Sequence, residues 1–176
     1  WDVTAAPLSA AVARHGVLPA EVWKPLRAEL DQVPLCSPPP AEAPAEEQIA
    51  RLVADIQRFR GAHPDSRAVL VDLLPACESS GLGDCQDPDP REITRAAARC
   101  PDLVYGLAAV RAGVPVVNFS PNELEIPRLV SEARERGVPI CGRDGKTGQT
   151  YFKVVLASAF KARSLRVDGW YSLNIL

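Results

Sequence analysis

The spacing of apolar residues changes several times along this chain, and each change marks an element. From Asp2 to His15 apolar and small residues recur at helical spacing, with Gly16 as a stop; Pro19 to Val33 repeats the pattern with Val22, Trp23, Leu26 and Leu30 on one stripe. Consecutive prolines then make Cys36 to Pro44 a linker, because proline lacks a donor and disfavours helix in the residue before it. Glu46 to Phe59 predicts an amphipathic helix through Ile49, Leu52, Val53, Ile56 and Phe59, ending near Gly61. Ala68 to Leu74 has the length and apolar character of a parallel strand buried on both faces. A Gly-, Asp-, Ser- and Pro-rich loop, Glu78 to Pro90, leads to two helices, Pro90 to Arg99 and Leu103 to Ala112. Tighter alternation follows: strand Val114 to Phe119, helix Leu124 to Arg136 stopped by Gly137, strand Val138 to Cys141, helix Thr147 to Ala162, and a last strand, Leu165 to Leu176.

Strands alternating with helices at this spacing predict an α/β fold, a doubly wound and mostly parallel sheet with helices on both faces. Such sheets bind ligands beyond the carboxyl ends of their strands. That singles out three loops: Leu74 to Glu78, Asn118 to Asn122, and Gly142 to Lys146.

Length and charge narrow the function classes. A chain of 176 residues, 47% hydrophobic, suits one core. A net charge of −2 and ten aromatics without basic interleaving argue against a nucleic-acid or anionic-membrane surface. No apolar run reaches the length of a membrane span and no signal peptide opens the chain, so a cytoplasmic protein is expected. The start at Trp1, without Met, and the apolar last residues suggest part of a longer protein. Five cysteines, with no C-x-x-C pair, read as reduced and mostly buried thiols, and no metal is expected. His15 and His63 read as helix-end or loop residues without ligand partners.

The basic residues are uneven: 16 are arginine and four are lysine, namely Lys24, Lys146, Lys153 and Lys161. A lysine amine can lose its proton at accessible cost when desolvated, which suits acid–base work or polarising a carbonyl. Lys146 and Lys153 are two helical turns apart, hence on one face, and Asp144 and Thr147 stand where a helix N-terminus favours an anion. This set suits a phosphorylated, carbonyl-bearing substrate; plain capping and solvated lysines account for the same spacing.

The segment Gly142-Arg143-Asp144-Gly145-Lys146-Thr147-Gly148-Gln149-Thr150, followed by Lys153, resembles the G-D-D-x-K-S-G-Q-T segment of the myo-inositol-1-phosphate synthase family. Val114 to Asn122 resembles that family's V-P-x-x-N-G-S-P-Q-N, Trp1-Asp2 its G-G-W-D, and Trp170 to Leu176 the approach to its L-G-N-x-D-G. The resemblance implies a Rossmann-like NAD-binding domain over residues 1–164, lacking its glycine-rich part, with 165–176 leading into a catalytic and tetramerisation domain. It implies NAD as cofactor, a sugar-phosphate substrate and a homotetramer. Lys146 and Lys153 would be catalytic. Asp2, Leu74, Ala76, Cys77, Phe119, Ser120, Asp144 and Thr147 would bind the cofactor, and Ser120, Asn122 and Lys153 the substrate. The implied reaction turns glucose 6-phosphate into inositol 1-phosphate by oxidation at C5, loss of a proton from C6, aldol attack on C1 and reduction, with lysines beside the developing oxyanions.

Arg143, Phe119 and Tyr151 depart from the family pattern, and Asp102 stands where members often carry Ser. A carboxylate there would repel a substrate phosphate, or it caps the helix. Two other readings remain open: a related enzyme acting on another sugar phosphate, and a non-catalytic NAD-binding module.

Overall fold

Three short parallel strands carry the fold: β3 (Leu70–Asp72), β4 (Val116–Asn118) and β5 (Ile140–Gly142), paired in that order. This computed structural model describes residues 2–3, 6–143, 145 and 148–170. A separate parallel pair joins β1 (Asp2–Val3) to β2 (Leu35–Cys36). The register aligns Leu70, Val116 and Ile140 in one row, and Asp72, Asn118 and Gly142 in the row at the carboxyl ends.

Helices α1 (Leu8–His15), α2 (Ala20–Trp23), α3 (Arg27–Leu30), α4 (Ala45–Ala62), α5 (Pro90–Arg99), α6 (Asp102–Arg111), α7 (Pro127–Arg136) and α8 (Gly148–Ala162) follow the chain, with a 3₁₀ turn at Lys24–Leu26 joining α2 to α3. Their ends follow local chemistry. Gly16 and Gly137 close α1 and α7 in the left-handed conformation. Asp89 starts α5 with a capping box, its carboxylate accepting from the Glu92 amide while Glu92 accepts from the Asp89 amide.

Helix α6 forms the centre of the core. Leu103, Val104, Leu107, Ala108 and Val110 are all buried, and α6 packs against α4 through Ile49, Leu52 and Ile56 and against α7 through Leu129 and Ala133. Gly106 permits the second contact: a Cβ there would lie 2.5 Å from Leu124 Cδ1 and 2.8 Å from Leu129 Cδ1. Arg111, at the end of α6, ties the three helices together through Glu46 on α4 and Glu132 on α7.

Several expectations need correction. The first predicted helix starts at Leu8, not Asp2, because residues 2–3 pair as β1 and Pro7 disfavours helix in the residue before it. The second is broken at Lys24–Pro25 into α2, the 3₁₀ turn and α3, and Cys36 of the predicted linker belongs to β2. The helix expected from Leu124 begins at Pro127, since Ile126 before it is extended. Strand β3 is buried on one face only: Val69, Val71 and Leu73 are exposed, because α4 and α6 cover the face that carries Leu70 and Val116. Residues 165–170 form no strand, having no partner among the described residues to complete a ladder; 171–176 lie outside the described residues.

Candidate functional site

The row Asp72, Asn118, Gly142 ends the sheet, and the chain bends soon after Asn118 and Gly142. A Cβ on Gly142, at φ +100°, would collide with the Asn118 carbonyl, so only glycine lets β5 leave the sheet there. Arg143 follows at φ +105°, its amide donating to the Asn118 carbonyl and its guanidinium to Glu125 at 3.0 Å, with Glu123 at 3.4 Å. Gly145 next donates its amide to the Phe119 carbonyl, and a Cβ on it would collide with the Phe119 ring.

Beneath these loops lies a buried polar network. Asn118 Nδ2 donates to the Asn122 carbonyl at 2.9 Å, and Asn118 Oδ1 accepts from the Ser120 amide at 2.7 Å. The Ser120 hydroxyl sits 2.8 Å from Asn118 Oδ1 and 3.2 Å from Asp102 Oδ1. Asn122 uses its whole side chain: Nδ2 donates to the Pro75 carbonyl (2.9 Å) and to Asp102 Oδ1 (2.7 Å), and Oδ1 accepts from the Cys77 amide (2.9 Å). One amide thus joins the loop after β3, the loop after β4 and the first turn of α6.

Asp102, fully buried, is the hub. It makes no capping bond to its own helix, so the capping role is not what holds it. Nor does it face outward: Oδ1 takes Asn122 and Ser120, while the thiols of Cys77 and Cys100 lie 3.9 and 3.8 Å from Oδ2. Asp72, 4% exposed, lies beside it. Burial, reinforced by the neighbouring Asp102 carboxylate against an opposing bond from the Leu74 amide, pushes the Asp72 carboxyl up to about 7. Its Oδ2 is the one buried side-chain oxygen or nitrogen without a hydrogen-bond partner among the described residues. Burial likewise raises the Cys100 thiol, and the Tyr105 hydroxyl, with Asp102 adding to both. No described cation pairs with either aspartate.

Of the residues expected to form the site, Cys77, Ser120 and Asn122 meet in this network, with Ser120 3% and Asn122 5% exposed and their polar atoms bonded to the protein. Leu74 borders it through its amide bond to Asp72. Phe119 and Ala76 are exposed above it. Lys153 is exposed on α8. Lys146, Asp144, Thr147 and the side chain of Asp2 lie outside what the structure describes. Asp72 was missed; a lone acidic residue inside Val69-Leu70-Val71-Asp72-Leu73-Leu74 was the available signal.

The strand ends suit a dinucleotide. Leu73 and Phe119 stand 73% and 48% exposed, small Ala76 leaves room between loops, and the two glycines let the loop after β5 close on the same edge.

Fold and site define an α/β domain with a parallel sheet whose strand ends meet at one edge, the place where such sheets take ligands. The model of the myo-inositol-1-phosphate synthase family, an NAD-binding domain, matches residues 1–165, and the chain belongs to that family. Inositol-3-phosphate synthase 1 of Bacteroides thetaiotaomicron is 43% identical over 138 residues, covering 74% of this chain and 32% of its own. The Spirodela polyrhiza inositol-3-phosphate synthase is 28% identical over 197 residues, covering all of this chain and 39% of its own. The crystal structure of inositol-3-phosphate synthase from Caenorhabditis elegans shares the fold, with a TM-score of 0.68 at 20% identity over 93% of this chain and 36% of that one. The chain thus spans a third to two fifths of the length of these relatives. NAD is the cofactor that the family's domain binds.

Proposed function

We propose that the protein carrying this chain is an inositol-3-phosphate synthase, isomerising glucose 6-phosphate to inositol 1-phosphate with NAD. The observation that carries the reading is the family match over residues 1–165, with a relative named for that activity at 43% identity. Residues 1–164 serve as the NAD-binding part, and 165–176 lead toward a catalytic and tetramerisation part. The working protein is a cytoplasmic homotetramer. No described helix is long and apolar enough to cross a membrane.

When bound, NAD supplies a hydride acceptor and, later, a hydride donor, so the net redox change is zero. The chain's residues supply position and charge. Asp2 meets the adenosine ribose, and Ala76, Phe119 and the backbone of Leu74 and Cys77 border the dinucleotide. Asp144 and Thr147, just before α8 in the sequence, take part in binding the anionic groups. Lys146 and Lys153 stand beside the substrate oxygens, stabilising oxyanions and moving protons at Nζ. Ser120 and Asn122 act through the loop they shape, because their side chains are bonded inward. Buried Asp102 is taken up by the protein network, so it leaves the substrate phosphate unrepelled.

The test is incubation of the full-length protein with glucose 6-phosphate and NAD, beside a Lys146→Ala variant. Inositol 1-phosphate from the first and none from the second is expected. NAD binding without product from the unaltered protein would replace this reading with another sugar-phosphate substrate.

A further inference from the structure

Two thiols from separate elements converge on one carboxylate oxygen. Cys77 belongs to the loop after β3 and Cys100 to the end of α5, yet their sulfurs and an Asp102 oxygen all lie within 4.8 Å of one another. The sulfurs sit 3.9 and 3.8 Å from Asp102 Oδ2. Two ligand atoms on one tetrahedral zinc ion, with Zn–S about 2.3 Å and Zn–O about 2.0 Å, are separated by about 3.5 Å. The sulfur–oxygen spacings are therefore a few tenths of an ångström wider than a metal would set, and the group as a whole, spread within 4.8 Å, would draw in by up to about 1 Å on binding.

A second observation points the same way. Asp72, more than nine-tenths buried, is directed at Asp102, and its Oδ2 has no hydrogen-bond donor among the described residues. Two buried carboxyls in contact without a cation are costly unless a proton or a metal ion lies between them. As thiols, Cys77 and Cys100 are placed to donate to Asp102 Oδ2, and a metal ion would replace both of those protons and the one between the carboxyls. The other oxygen of Asp102 is already held by Asn122 Nδ2 at 2.7 Å and Ser120 Oγ at 3.2 Å, the kind of outer hydrogen bonding that fixes a ligating carboxylate.

We propose that Cys77, Cys100 and Asp102 bind one zinc ion, with Asp72, beside Asp102, turning in as the fourth ligand to close a tetrahedral site. Two sulfur donors select zinc over magnesium or calcium. Four protein ligands leave no open position, so the ion is structural, clamping the loop after β3 to the α5–α6 junction beneath the nucleotide edge. Binding releases the protons of both thiols and any on the carboxyls. The site stands independently of the reaction proposed above.

The test uses the full-length protein, purified without a histidine tag and stripped with a chelator. Cobalt(II) titrated into it should give thiolate-to-cobalt charge-transfer absorption at one equivalent, displaced by zinc. Cys77→Ser with Cys100→Ser should abolish the absorption, and the near-isosteric Asp72→Asn should weaken zinc binding about tenfold or more. Cobalt or zinc bound without thiolate absorption, or no stoichiometric metal in a protein that still gives a cooperative melt, overturns the proposal and leaves a proton shared by Asp72 and Asp102.

Discussion

Asn122 Nδ2 donates a 2.7 Å hydrogen bond to Asp102 Oδ1 inside the protein, linking the loop after β4 to the first turn of α6. The same amide holds Pro75 and Cys77 of the loop after β3, so the carboxyl-end edge of the sheet has one shared anchor.

Asn122→Ala leaves the Cys77 amide, the Pro75 carbonyl and Asp102 each short of a partner. The expected cost is on the order of 3 kcal/mol of unfolding free energy, read from urea denaturation. A loss under about 0.5 kcal/mol would mean that these bonds do not hold the loops.

Gly106→Ala tests packing against propensity. Alanine favours helix by about 1 kcal/mol, but its Cβ would lie 2.5 Å from Leu124 Cδ1 in a filled core. Net destabilisation of about 1–2 kcal/mol is expected, seen as a lower melting temperature. A higher one would show that α6 and α7 are not so closely packed.

Acid should weaken the protein through Glu132. Its hydrogen bond to Arg111 holds its carboxyl below the usual value of 4.5, against burial, and Arg128 adds to the same side. A carboxyl depressed in the folded state contributes stability above its unfolded value, and that contribution fades as pH falls below about 4.5. Arg111→Ala should cost about 2–3 kcal/mol at neutral pH and flatten the acid limb of stability against pH. An unchanged slope in that variant would remove Glu132 from the account.

Much of the fold was legible because it rests on local signals. The period of Ile49, Leu52 and Ile56 gave α4, Gly137 gave the end of α7, and apolar runs gave β3, β4 and β5. Pairing β1 with β2 was not legible, since two-residue strands carry no period and depend on a partner over thirty residues away. The loops of the site were found from strand ends and the family likeness. The Asp72–Asp102 contact and the meeting of Cys77 with Cys100 were not, because sequence spacing does not register side chains brought together from β3, α5 and α6.

The central claim, an isomerisation that regenerates its cofactor, is tested most directly by limiting NAD. Full-length protein stripped of nucleotide would be given excess glucose 6-phosphate and NAD at a small fraction of that amount, with inositol 1-phosphate and the 340 nm absorbance followed together. Product many times in excess of NAD, with no lasting rise in absorbance, is the expected result. Product that stops at one equivalent of NAD, or absorbance that climbs with it, would contradict the account.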